Sequence, residues 1–190
     1  MYQKINKELE IIALYRGNYQ VRLYLRQINN LSKIPLKTCQ NILNRLEKEK
    51  ILKSKTEGKN KYFSLNLDNI QTKSYLLQAE IYKTDAFLEI YPNFKTFLKS
   101  IDNNNLLIVF GSFAKLKAEK NSDLDMLVIG KEEPPFHLLP YKLHQIKLDE
   151  KTLIKAVKER ETLIKEIEEN HIILNNHSSY INIIWNYYGK

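Results

Sequence analysis

The stretch from Leu106 to Ile129 constrains this 190-residue chain more than any other part of it. It reads LLIVFGSFAKLKAEKNSDLDMLVI: five apolar residues, a Gly-Ser pair, ten further residues, and Asp-Leu-Asp entering a second apolar run. The first run is too short for a stable helix and ends abruptly at Gly111, which predicts a buried strand. The second run predicts another strand. The sequence therefore places a glycine turn and two carboxylates on a small sheet.

Gly111 and Ser112 form the turn after the first predicted strand. A glycine lets the backbone come close to a ligand, and a serine here can either cap a following helix or contact a phosphate oxygen. Free N–H groups at a helix N-terminus favour anions. A triphosphate would therefore suit the turn at Gly111 and Ser112.

Asp123 and Asp125 lie two residues apart, so in a strand their side chains share one face, while Leu124 and Met126 point into the core. Two adjacent carboxylates repel each other, and a bound cation normally relieves this repulsion. Hard oxygen ligands of this kind suit Mg²⁺ that holds nucleotide phosphates. The pair therefore predicts a metal site; the alternative is two solvated aspartates at a strand edge.

The spacing from Gly111-Ser112 through ten residues to Asp123-x-Asp125 resembles the signature of minimal nucleotidyltransferases in the DNA polymerase β-like superfamily. The resemblance implies that Gly111 and Ser112 bind the triphosphate of an NTP, with ATP as the expected nucleotide, and that both aspartates are catalytic. It also implies transfer of a nucleoside monophosphate from an NTP to an acceptor, with loss of pyrophosphate. Family members of minimal size often modify a partner protein, sometimes a toxin encoded beside them.

Nucleotidyltransferases of this superfamily usually carry a third carboxylate on the next strand. Here the predicted third strand, Tyr141 to Leu148, contains no Asp or Glu, and His144 or Gln145 occupies the corresponding stretch. Asp149 and Glu150 come just after it, but Asp149 is better interpreted as the N-cap of the following helix. The departure favours a second hypothesis, a non-catalytic regulator whose domain senses a nucleotide or holds a partner.

The positive charge of the chain is concentrated in its first third. Residues 1–68 contain 14 Lys and Arg against 6 Asp and Glu, whereas the remainder contains 16 of each, so the whole formal charge of +8 lies in the first part. Such asymmetry indicates two domains and a polyanionic partner for the first one.

The third predicted helix, which follows Pro35, has a buried stripe formed by Cys39, Ile42, Leu43 and Leu46. Its outward face is polar and basic, with side chains that can contact base edges and phosphates in a major groove. Surface helices also carry such residues for solubility. The candidate DNA-binding residues of this helix are Lys37, Gln40, Asn41, Asn44, Arg45 and Lys48.

Two strand-like runs follow, joined by the turn Glu57-Gly58-Lys59-Asn60, and Lys55, Lys59 and Lys61 make this hairpin basic. Three helices followed by a basic hairpin resemble the winged helix-turn-helix family, with residues 38–52 as the recognition-helix stretch and 53–65 as the wing. The resemblance implies binding to duplex DNA and a role in transcription regulation. The alternatives are a protein-protein module and a structured RNA as partner.

We therefore expect an α+β or α/β fold in two domains. Residues 1–68 would form the winged helix-turn-helix, residues 69–104 a helical connector, and residues 105–190 a small nucleotidyltransferase-like mixed sheet with flanking helices. The connector helix would pack against its own chain or present an aromatic seam to a second copy, and we favour the homodimer.

The remaining sequence features predict a cytoplasmic protein with no membrane partner. Cys39 is the single cysteine, which excludes an internal disulfide framework. No apolar run approaches the roughly 20 residues that span a bilayer, and the start MYQKINKELE has no signal-peptide pattern.

Overall fold

The structure is a computed structural model that describes residues 6–101 and 104–189. The chain forms two compact units. Of the described residues, the N-terminal unit comprises 6–79 with 188 and 189, and the C-terminal unit comprises 80–101 and 104–187. Helices accompany a sheet in each unit, so the fold is α+β as predicted. The predicted boundaries after residues 68 and 104 stay predictions.

The N-terminal unit has three helices, then a hairpin, then the first half of a long helix. Its elements are α1 (Lys7–Ala13), β1 (Leu23–Tyr24), α2 (Leu25–Ser32), α3 (Leu36–Lys48), β2 (Leu52–Glu57), β3 (Asn60–Leu65) and the start of α4 (Ile70–Ile90). The apolar spacing of residues 4–15 predicts the first of the three helices, and α1 lies within that range; residues 4 and 5 lie outside the described part.

The short strand β1 was not predicted, because residues 21–28 have the apolar spacing of a helix. In the structure Leu23 and Tyr24 pair antiparallel with Phe63 and Tyr62 of β3, which gives the sheet order β1-β3-β2. Pairing with a strand distant in sequence has therefore overridden the local helical pattern.

The buried stripe of α3 agrees with its predicted periodicity. Cys39, Leu43 and Leu46 are completely buried, whereas Ile42 is only partly buried. The Cys39 thiol donates a hydrogen bond to the Ile34 carbonyl at 3.3 Å, as expected of a cysteine that serves as core. This packing leaves the opposite face of α3 to solvent.

The C-terminal unit is a mixed four-stranded sheet with helices around it. Its elements are the end of α4, α5 (Asn93–Lys99), β4 (Leu106–Phe110), α6 (Gly111–Ala114), β5 (Leu124–Ile129), a 3-10 turn (Phe136–Leu138), β6 (Leu143–Leu148), α7 (Glu150–Glu159), α8 (Thr162–Glu169), β7 (Ile172–Asn175) and α9 (His177–Tyr188). The strand order is β6-β5-β4-β7, and only the β5–β6 pair is parallel.

Both faces of the central strands are buried over most of their length. On one face Leu124, Met126 and Val128 pack in a cluster with Phe94 and Phe113. On the other face Leu127 is completely buried, but the Asp125 side chain is 27% exposed and the Asp123 side chain 45% exposed. The two carboxylates therefore lie at the end of this face that neighbouring residues leave partly exposed to solvent.

Among the described residues, none of the helices combines the length and the apolar composition needed to cross a membrane.

Candidate functional site

Gly111 and Asp125 are brought together by the antiparallel pairing of β4 with β5. Phe110, the last residue of β4, lies directly opposite Asp125, so the turn at Gly111 begins beside that carboxylate. A Cβ atom on Gly111 would lie 2.2 Å from Asp125 Oδ2, and its φ of +67° is one that side chains rarely adopt. Only glycine fits here, for reasons of both space and backbone conformation.

Ser112 is the second residue of α6 and is half-buried. Of its two predicted roles, capping of this helix is wrong, because the N-cap is Phe110 and no side chain caps the helix. Four residues make only one turn, so the helix dipole adds little to anion binding here. Contact with a phosphate oxygen is the remaining predicted role of Ser112.

The strand β6 supplies the groups that face the two carboxylates. In the parallel pairing Asp125 lies opposite His144, and His144 Nδ1 is 2.8 Å from Asp125 Oδ1. Lys142 Nζ, two residues earlier, lies 3.0 Å from Asp123 Oδ2. The segments Asp-Leu-Asp and Lys-Leu-His thus run side by side, with their polar residues on the same face.

Lys142 was missed by the sequence reasoning, which considered His144 or Gln145 on this strand and Asp149 or Glu150 just after it. The available signal was the polar-apolar-polar pattern of residues 142–144, which matches that of residues 123–125. That pattern shows which side chains share a face, but not which strand lies next to them.

Asp149 does not complete the carboxylate site. It lies just past the end of β6, whose last residue Leu148 pairs with Ile129 at the far end of β5. Its side chain accepts a hydrogen bond from the Thr152 amide at 2.7 Å, which is the chief reason that the pKa of Asp149 is lowered. The N-cap interpretation is confirmed, and β6 carries no third carboxylate.

The donor set suits a divalent cation that also binds phosphate. Asp123 and Asp125 project from one face at an open end of the sheet and offer hard oxygen ligands. No group of three His, Cys, Asp or Glu side chains in the described ranges is arranged to hold a metal ion. Two protein carboxylates with the remaining positions taken by phosphates and water are how Mg²⁺ is usually bound in nucleotide sites.

The outward face of α3 is exposed as predicted. Lys37, Asn41, Asn44 and Lys48 are exposed, whereas Gln40 is half-buried and its amide donates a hydrogen bond to Asn44 Oδ1 at 2.8 Å. Arg45 forms an ion pair with Glu8 of α1. Lys37, Asn41 and Lys48 are therefore more available to a ligand than Arg45.

Two of the three candidate lysines of the hairpin form ion pairs with neighbouring glutamates. Lys61 Nζ lies 2.6 Å from Glu47 Oε2, and this contact is the main cause of the lowered pKa of Glu47. Lys55 Nζ lies 3.2 Å from Glu57. Lys59 is exposed in the two-residue turn that it forms with Gly58. Within the described residues it has no carboxylate within 4 Å.

A groove of about 630 Å³ connects parts of this surface. Of the candidate residues, Gln40, Lys59 and Lys61 line it. Arg26, exposed on α2, and Tyr24 also line it, although the sequence reasoning did not select them. The structure thus places the hairpin tip beside one edge of α3.

Comparisons with known proteins bear on the C-terminal unit. Residues 93–179, somewhat less than half of the chain, match the family model described as Polymerase beta, Nucleotidyltransferase, so this part of the chain is similar to a nucleotidyltransferase domain. The match includes the Gly111 turn, both aspartates and β6.

A comparison with curated proteins found no significant match. One matching solved structure is that of TrmBL2, an archaeal chromatin protein described as showing a novel mode of DNA binding. The two chains are 16% identical, with 88% of this chain and 74% of that chain covered and a TM-score of 0.28. A likeness of this strength says nothing about what the present chain binds.

Proposed function

We propose that the C-terminal unit binds an NTP with Mg²⁺ and transfers its nucleoside monophosphate to an acceptor. The observation that carries this proposal is the contact of the Gly111 turn with the Asp125 carboxylate, with Asp123 on the same face. A turn that leaves no room for a side chain, set against a carboxylate pair, suits a triphosphate bound together with a cation.

Each residue of the site has a role in this proposal. Gly111 and Ser112 contact the triphosphate, and Asp123 and Asp125 would hold the divalent ion, which neutralises phosphate charge and orients in-line attack. An acceptor hydroxyl forms a bond to the α-phosphorus as the bond to the pyrophosphate oxygen breaks, and its proton passes to solvent. Lys142 is exposed, so its ammonium can leave Asp123 for a phosphate oxygen.

Incubation with labelled NTPs and Mg²⁺ in the presence of candidate acceptors tests the transfer. We expect labelled product from the wild-type chain and a loss of about 100-fold in Asp123→Asn, because the substitution removes the negative charge of a ligand of the cation while keeping the shape of the side chain. Asp85→Asn, which removes the same charge from an exposed helix position, is the matched control and should be fully active.

A second function has one observation in its favour. His144 and Lys142, rather than a carboxylate, face the aspartates from β6. A domain of this kind could bind a nucleotide without turning it over and act as a sensor in a regulator. Measurable NTP binding with no labelled product from any acceptor would refute the transfer and favour the sensor.

For the N-terminal unit we propose a winged helix-turn-helix that binds duplex DNA. The order of three helices followed by an antiparallel hairpin supports this proposal, as do the exposed polar face of α3 and the lysine at the hairpin tip. In such a module α3 would lie in the major groove and the hairpin against the neighbouring backbone. Transcription regulation, a toxin as protein acceptor and a homodimer are further parts of this proposal that rest on the sequence alone.

DNA binding should weaken steeply with salt and depend on the unpaired cations. In the described part of the chain, Lys37, Lys48 and Lys59 have no carboxylate within 4 Å, so their full charge is available to phosphates. Changing all three to Ala should reduce duplex affinity. It should also make the slope of log affinity against log salt less negative by about 2.7, because each phosphate contact contributes about 0.9 to that slope. The measurement is a fluorescence anisotropy titration at several salt concentrations.

The control for this variant carries the same change of charge elsewhere. Lys151, Lys158 and Lys165 are exposed on α7 and α8, and their replacement by Ala should leave the salt dependence unchanged. Equal losses in the two triple variants would show that net charge alone governs binding. Tighter binding to hairpin RNA than to duplex DNA would identify RNA as the partner instead.

A further inference from the structure

His144 brings an imidazole to the end of the sheet where the two carboxylates lie. It lies opposite Asp125 in the parallel β5–β6 pairing, and its Nδ1 is 2.8 Å from Asp125 Oδ1. The ring is 62% exposed, so it is not needed to fill the core. The roles assigned above to Asp125 and Lys142 leave this side chain without a function.

The spacing of these two atoms suits two ligands of one ion. Bonds of about 2.1 Å at right angles place neighbouring ligand atoms about 3 Å apart. The nitrogen and oxygen of His144 and Asp125 already lie near that separation. An ion that binds Asp125 through Oδ1 would therefore be within reach of His144 after a small movement of either side chain.

The present contact is a hydrogen bond, which requires a proton on His144 Nδ1. Binding of a cation through Nδ1 moves that ring proton to Nε2, on a ring that is largely in water. The described side chains do not form a ready three-ligand cluster. Asp123 must also release Lys142, whose Nζ lies 3.0 Å from Asp123 Oδ2, before it can bind the ion. Both side chains of the Lys142–Asp123 ion pair are exposed, so only a weak interaction is lost when the ion replaces Lys142.

The chemistry of the donor set then decides which ion is preferred. Mg²⁺ favours oxygen ligands almost exclusively, whereas first-row transition ions accept imidazole readily. We propose that His144 is a ligand of the divalent ion held by Asp123 and Asp125, and that it shifts the preference of the site from Mg²⁺ toward Mn²⁺. This inference rests on the proposed function only in that the two aspartates bind a cation.

Pulsed electron paramagnetic resonance of bound Mn²⁺ tests the ligand directly. Modulation of the electron spin echo by nitrogen shows whether a nitrogen atom is bound to the ion. The complex should be formed with the full chain and inorganic tripolyphosphate in a nitrogen-free buffer, so that neither nucleotide base nor buffer supplies the nitrogen. We expect the modulation in the wild-type chain and its loss in His144→Ala.

Two variants make the assignment specific. His137→Ala removes an exposed histidine from the 3-10 turn and should keep the modulation. His144→Asp replaces the nitrogen ligand with a carboxylate, so the modulation should vanish while Mn²⁺ still binds. In titrations of the two metals, His144→Asp should lower the ratio of Mn²⁺ to Mg²⁺ affinity about tenfold or more.

The outcomes separate this inference from the proposed transfer. Mn²⁺ bound without a directly bound nitrogen, nitrogen modulation that persists in His144→Ala, or no binding of Mn²⁺ would each overturn the role of His144. A nitrogen signal that depends on His144 in a chain that yields no labelled product would support the inference and refute the transfer alone.

Discussion

Gly111→Ala should abolish nucleotide transfer and lower the free energy of unfolding by about 2–4 kcal/mol. The new methyl group would lie 2.2 Å from Asp125 Oδ2, so the carboxylate must move and its hydrogen bond with His144 breaks. The backbone at φ +67° is in addition unfavourable for any residue with a Cβ atom. A carboxylate displaced by about 1 Å can cost 100-fold in rate, so activity should be lost even in the folded fraction.

Gly58→Ala separates the backbone effect from the steric one. Gly58 has a similar φ of +58°, but nothing lies within 4 Å of a Cβ atom placed there. Its replacement should cost only about 1 kcal/mol and leave nucleotide transfer unchanged. Denaturant unfolding followed by far-ultraviolet circular dichroism measures both variants. Equal costs for the two substitutions would contradict the contact between Gly111 and Asp125.

His171→Leu should destabilise the C-terminal unit by about 3–5 kcal/mol. His171, just before β7, and Glu80, on α4, have side chains that are 1% and 0% exposed, and His171 Nε2 lies 3.1 Å from Glu80 Oε1. The other ring nitrogen, Nδ1, donates a hydrogen bond to the Ile167 carbonyl at 2.8 Å. Loss of the imidazole leaves a buried carboxyl group without this partner, which costs more than the lost packing.

Two further variants test the reason for that loss. Glu80→Gln keeps a hydrogen-bonding group and should cost only about 1 kcal/mol. The double variant Glu80→Leu with His171→Leu removes both polar groups, so it should be more stable than His171→Leu alone. The single tryptophan, Trp185, lies in the same unit, so its fluorescence during urea unfolding reports on these variants. A double variant less stable than either single one would refute the coupling.

The local parts of the candidate site followed from the sequence. A run of five apolar residues ended by Gly111 predicted β4 and its turn, and the period of two predicted the face shared by Asp123 and Asp125. The α3 stripe of Cys39 and Leu43 was likewise predicted from a period of 3.6 residues. Steric limits and backbone periods act within a few residues, which is why these features could be predicted.

The partners of those groups were beyond sequence reasoning. Placing His144 beside Asp125 requires the register of a parallel pair whose strands are separated by 13 intervening residues, Gly130 to Lys142. Pairing of Arg45 with Glu8 requires the packing of α1 near α3. A shift of one residue in the β6 register would have placed Leu143 or Gln145 opposite Asp125 instead of His144.

The sequence by itself thus determined that a glycine turn, a carboxylate pair and a basic helical face exist in this protein. Only the tertiary structure decided what faces them: Lys142 and His144 lie beside the carboxylates, and Glu8 lies beside Arg45 of α3. The physical reason is that strand register and helix packing are set by the burial of apolar surface over a whole unit. No window of neighbouring residues contains that information.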